Sequence, residues 1–147
     1  MAALALLTSA ASAETVVIEA TRDATLIEHP AGALANGSGP VFFAGRTSQA
    51  ENGVRRALLY FDVSAYLPQS AIIEKVELRL VHMGGNSLPR AVRLHRALEA
   101  WSEGASAASG GSGAPSTTGD ATWIHAAYDH DLWVRAGGHF VARSSAL

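Results

Sequence analysis

The chain has no cysteine. That excludes a disulfide framework, c-type haem attachment and any zinc site built on thiolates, so stability has to come from burial. Charge is also sparse. Charged residues make up 16% of the 147 residues and the net charge is -2, with the basic residues scattered or paired, as in Arg55-Arg56. Neither a nucleic acid nor an anionic membrane would find an electrostatic footprint here. No apolar run is long enough to span a bilayer, because the longest, residues 1–10, is about half of what a helix needs. No helical stretch of ten or more residues stands out beyond that run. A G-x-S-x-G elbow is missing, and the serines cluster in Gly/Ser-rich connections. Acidic residues are present, but each sits in a turn-like setting and not as a pair across a cleft, so a glycosidase is not indicated either. The composition argues against an enzyme.

What is present begins with a compartment signal. Residues 1–10 are apolar, and Ala11-Ser12-Ala13 before Glu14 has the small-x-small form of a signal-peptidase site. No Lys or Arg precedes the run. The expectation is a signal peptide over residues 1–13 that lacks its basic start. Export to the extracellular space or the cell surface would follow, with a mature chain beginning at Glu14.

The remainder fits one domain, expected over residues 14–140, with a tail at 141–147. A chain of this length buries roughly 68–70% of its unfolded surface, enough for one unstapled core. Short alternating runs are punctuated by Gly, Pro, Asn and Ser. Strands are expected at 15–20 and 24–28 around a turn at Arg22-Asp23, at 41–44, 55–63, 73–81 and 92–98, with a short one at 121–125. In 55–63 the alternation sets Ala57, Leu59, Phe61 and Val63 opposite Arg56, Leu58 and Tyr60. Across 73–81 it is cleaner, with Val76, Leu78 and Leu80 on one face and Lys75, Glu77 and Arg79 on the other. That is the mark of a half-buried antiparallel strand. Residues 63–69 read as one helical turn, and 29–40 and 102–119 as loops, the second of low complexity. The pattern predicts an all-β, antiparallel β-sandwich of jelly-roll type.

Nine short motifs fall in an order that resembles the DNRLRE-domain family, β-sandwich modules of bacterial secreted proteins akin to carbohydrate-binding jelly rolls. Asp23-Ala24-Thr25-Leu26 resembles its D-x-T-L strand, Asn36-Gly37-Ser38-Gly39 its N-G-x-G loop, and Phe43-Ala44-Gly45-Arg46 its F-x-G-[KR] strand end. The run from Arg55 to Asp62 resembles R-x-L-x-x-F-D, and Pro68 with Ala71-Ile72-Ile73 its P-x-G-A-x-I connection, with Ser70 in place of glycine. Leu94-His95-Arg96, Trp101-Ser102-Glu103-Gly104, the run from Thr118 to Trp123, and Trp133 with Gly137-Gly138 resemble the later segments. His139 stands where the family usually has Asp, and the Asp-Asn-Arg-Leu-Arg-Glu-like motif is absent. The resemblance implies a sandwich short of its last strands, and hence unpaired edges and an uncovered apolar face.

It also implies a non-catalytic module that binds polysaccharide, or a structural or adhesive spacer with no ligand of its own. Sugar rings stack on aromatic faces, and Trp133 and Tyr128, in a polar irregular segment, are the candidates expected to be exposed. Trp101 and Trp123 are expected to anchor structure. Arg55, Arg79 and Arg93 could pair with uronate carboxylates, since a guanidinium contacts them in bidentate fashion. A structural calcium ion would draw on Asp62, Glu103 and Asp120. The cluster of His125, Tyr128, Asp129, His130, Asp131 and His139 reads as a solvated polar loop, although it offers N and O donors.

Overall fold

The computed structural model describes residues 13–85 and 90–146. The expected signal peptide lies almost wholly outside the described residues.

Among the described residues seven strands form, all in antiparallel pairs: β1 Arg22–Ile27, β2 Leu34–Asn36, β3 Gly45–Arg46, β4 Val54–Tyr60, β5 Ala114–Pro115, β6 His125–Ala127 and β7 Asp131–Leu132. The first five make one sheet in the order β3-β4-β1-β2-β5, and β6 and β7 make a separate hairpin. Among the described residues the helical content is one 3-10 turn, Val63–Ala65, within the expected helical turn. Its N-cap is Asp62, whose carboxylate accepts from the Ala65 N–H and the Ser64 hydroxyl. The fold is all-β and sandwich-like.

β1 is the central strand. It pairs with β4 from Arg22 opposite Tyr60 to Ile27 opposite Arg55, and with β2 on its other edge. Its last four residues are all buried, so both faces are covered. Ala24 and Leu26 face the main core, where Trp101, Ala121, Ala126 and Trp133 meet them, with Leu58 of β4 and Trp123 packed alongside. The β6–β7 region thus forms the second layer. On the opposite face Thr25 accepts the Phe43 N–H, and Ile27 lies against the backbone turn at Gly113. Loops cover that face. Buried Asn36 ties them down by donating to the Val41 carbonyl and accepting the Ala108 N–H.

Several sequence expectations need correction. Residues 15–20 are not a strand and lie mostly exposed, whereas Arg22 and Asp23 open β1 instead of forming a turn. The reason is pairing: the Arg22 guanidinium sits 4.2 Å from the Tyr60 ring centroid and donates to the Trp101 carbonyl, which extends the strand to its first residue. No strand forms at 41–44; the pairing falls at Gly45 and Arg46. The stretch 29–40 contains β2, and the Gly/Ser-rich stretch 102–119 contains β5. This second stretch packs, because Asp120 organises it. Fully buried, the Asp120 carboxylate accepts from the backbone N–H groups of Ala105, Ser106 and Thr117 and from the Thr117 hydroxyl. Gly104 lets the chain come this close, since it has φ of 74° and a Cβ there would strike the carboxylate.

The largest correction concerns 73–81. Among the described residues it pairs with no strand, and it is exposed throughout. Residues 92–98 likewise form no strand and make only isolated bridges, Leu94 to Ala146 and Ala97 to Phe140, so the segment expected as a tail is joined to them. The short strand expected at 121–125 lies instead at His125–Ala127.

Candidate functional site

A depression lies at one end of the large sheet, where the connection after β1, the connection between β3 and β4, and the stretch before β5 converge. It holds about 400 Å³ and is lined chiefly by polar side chains: Glu28, His29, Gln49, Glu51, Asn52, Arg55 and Ser112, with Leu34 and Ala50.

Local hydrogen bonds set its walls. Glu28 accepts the Val54 N–H across the β1–β4 end. His29 Nδ1 accepts from the N–H groups of Ala31 and Ala33 and thereby closes the turn after Pro30. Thr47 and Gln49 bond to each other in the opposite wall. Asn52, at φ 53°, makes the tight return into β4, in a left-handed conformation that Asn tolerates well. At the floor lies Arg55, only 5% exposed. Its guanidinium donates to the carbonyls of Gly111, Asn52 and Val54 and to the Gln49 side chain. Burial pulls its pKa below the usual guanidinium value, and nearby Glu28 opposes that pull.

The arrangement offers carboxylate, amide, imidazole and hydroxyl groups around one buried cation. Such a set suits a neutral partner rich in hydroxyls. It holds no nucleophile hydrogen-bonded to a base, and Glu28 and Arg55 are engaged in structural contacts.

A second, shallower cleft of about 380 Å³ is lined by Arg96, Val141, Arg143, Ser144 and Ser145. Two guanidinium groups and two hydroxyls there suit an anionic group.

Of the residues singled out from sequence, only Arg55 lines a cleft. Trp133, expected to be exposed, is 6% exposed, and its indole N–H donates to the Thr122 carbonyl. It is a core residue, held by the return of the chain after β7, and presents no face to a sugar. Tyr128 is half-buried and packs edge-on against His125, with ring centroids 5.0 Å apart. Arg79 is exposed and bonds to Glu77, and Arg93 is exposed. The basic patch imagined from Arg55, Arg79 and Arg93 is therefore not assembled around one surface cleft.

The expected anchoring tryptophans are covered by cations. Arg22 lies 5.2 Å from the Trp101 ring centroid, and Arg56 lies 4.9 Å from that of Trp123 and 5.1 Å from that of Phe140. Arg56 also donates to the Gly137 carbonyl.

The three carboxylates considered for calcium have separate duties. Asp62 caps the 3-10 turn, Glu103 accepts the Asp23 N–H, and the Asp120 oxygens are met by N–H and O–H donors. Donor hydrogens directed at a carboxylate place positive charge where a cation would have to sit. In the histidine-rich segment His125 bonds to Thr122, and His139 to Glu99 at 2.7 Å. Among the described residues no three His, Cys, Asp or Glu side chains gather to hold a metal ion. Nor is any helix there long and apolar enough to cross a membrane.

The residues sequence reasoning missed are Gln49, Glu51, Asn52, His29 and Ser112. Each lies outside the expected strands, and polarity was the only signal they carried. No family model, curated protein or solved structure matches this chain.

Proposed function

We propose that this chain is a non-catalytic module of a secreted or cell-surface protein, and that it binds polysaccharide through the polar cleft at the end of the large sheet. The observation that carries this reading is the lining of that cleft by amide, carboxylate and imidazole groups around Arg55. Hydroxyl-rich ligands need donors and acceptors held in place by a rigid frame, and the strand ends supply one. The resemblance of the Asp23, Arg55, Trp101 and Thr118 segments to secreted carbohydrate-binding sandwiches supports it independently. With Trp133 in the core, recognition rests on hydrogen bonds and not on an aromatic platform. The pair of carboxylates, Glu28 and Glu51, favours neutral polymers at this cleft. A uronate would instead suit Arg96 and Arg143 at the other.

Affinity electrophoresis against a panel of neutral and uronate-bearing polysaccharides tests the reading. Retardation by a neutral polymer is expected, and the double variant Gln49→Ala, Glu51→Ala should weaken it about tenfold through the loss of two or three hydrogen bonds. Asn52 is left intact because its left-handed φ would strain a replacement. Folded protein that no polysaccharide retards would sink the proposal and leave the spacer reading, which the exposed extended segment at 71–83 favours in its own right.

A further inference from the structure

Residues 71–85 carry no regular secondary structure and every one is exposed. Yet the side-chain bonds at the centre of the segment fit an extended chain. Glu77 bonds to Lys75 on one side, at 2.5 Å, and to Arg79 on the other, at 3.4 Å. Residues two apart share a face in an extended chain but not in a helix. The opposite face carries Val76, Leu78 and Leu80, which are 81%, 36% and 52% exposed. Among the described residues the segment is thus an extended stretch without a neighbouring strand: its backbone donors and acceptors lie along an open edge and it has an apolar row on one side.

We propose that this segment pairs antiparallel with the same segment of a second copy of the chain, in the register centred on Leu78. The segment's apolar row and its charges together favour that register. With Leu78 opposite Leu78, Glu77 of each copy faces Arg79 of the other, Glu74 faces His82, Val76 faces Leu80 and Ile73 faces Met83. Every apolar residue of the row then meets an apolar partner and the Glu77–Arg79 pair occurs twice, with Lys75 opposite Val81 the one mismatch between them. Centring on Glu77 would oppose Glu77 to itself and Lys75 to Arg79. Centring on Val76 would keep an opposite-charge pair, Glu77 with Lys75, twice, but would set Glu74 against Leu78 and Arg79 against Ile73. A parallel in-register pair would stack every charge on its like. A slip of one residue would turn the charged face of one copy onto the apolar row of the other. Opposite charges directly across an antiparallel pair stabilise it, and like charges weaken it. An isologous pair of this kind is the commonest symmetry of soluble assemblies. The inference rests on the segment alone and is independent of what the polar cleft binds.

Sedimentation velocity of the full chain over a concentration series tests it. The wild type should form a dimer as concentration rises. E77R and R79E alone should each associate about tenfold more weakly, since each turns two attractive pairs into repulsive ones. An equimolar mixture of the two should recover wild-type association, because in that heterodimer every pair is opposite in charge again. A wild type that stays monomeric throughout, or a mixture that associates no better than its separate components, would overturn the proposal. So would a monomer whose 73–81 amides are protected from hydrogen exchange, which would place the partner strand within the same chain.

Discussion

Two segments of this chain carry the same alternation, and only one is a strand. Residues 54–60 pair along their length with the central strand, their Leu58 packs on the core, and their arginines are held by backbone carbonyls and aromatic rings. Residues 73–81 alternate more regularly, with a charged face that bonds to itself, and lie exposed without a partner. A period of two therefore records the ability to lie on a sheet. Strand formation requires a neighbour to take the backbone hydrogen bonds, and only the first segment has one within the described fold.

The sharpest way to break this contrast is to cut into each side of it. Trp133→Ala should remove about 3–5 kcal/mol by opening a cavity between the sheet and the hairpin layer. That is a large part of the stability of a domain this size, and thermal denaturation should show a lost or strongly lowered transition. Val76→Ala, measured where the chain is monomeric, should change stability by less than about 0.5 kcal/mol, because a side chain 81% exposed has little packing to lose. Equal effects would show that 73–81 is packed after all.

A smaller effect is expected at the buried carboxylate. Asp120→Ala leaves three backbone N–H groups without an acceptor. It should cost about 3 kcal/mol by denaturant unfolding, with Asp120→Asn intermediate. A neutral result would mean that the Gly/Ser-rich stretch is not held to the sheet by this residue, and the contrast between ordered and unpaired regions would have to be redrawn.

The smallest effect is electrostatic and sits at the start of β1. Burial, and secondarily the nearby Glu103 carboxylate, raise the Asp23 pKa above its ordinary 3.8. The folded chain therefore holds this proton more tightly than the unfolded chain. Asp23's contribution to stability is fully present below pH 3.8 and is lost as pH rises through the raised value. Asp23→Asn should accordingly raise the melting temperature modestly at neutral pH, and the gain should disappear in acid. A gain that persisted in acid would point to packing instead of charge.

Much of the fold was legible. The all-β class followed from short alternating runs and frequent turn residues, and β4 followed from its own pattern. Residues 24–28 read as a strand, but Arg22 and Asp23 read as a turn, and the pairing of Arg22 with Tyr60 that sets the true start of β1 was not legible. β2 and β5 were hidden because three residues of Leu-Ala-Asn and two of Ala-Pro carry no period, and they exist only because each finds the other and β1 nearby. The cleft was less legible still. Glu28, Gln49 and Ser112 are polar residues in three separate connections, and their convergence on Arg55 is a property of strand order, which no local pattern encodes. Trp133 went the other way. Its polar neighbours suggested exposure, but the turn after β7 carries it inward, where its N–H finds the Thr122 carbonyl.

The sequence by itself determined the absence of thiol chemistry, the modest charge and the strand-forming alternation, because these depend only on which residues are present and how they repeat. Tertiary structure decided which alternating segments became strands, which tryptophan entered the core, and which polar loops met in a cleft. Those outcomes depend on backbone partners and packing neighbours distant in the chain. Arg55 illustrates the division: its charge was plain in the sequence, but its burial under Gly111 followed only from the fold.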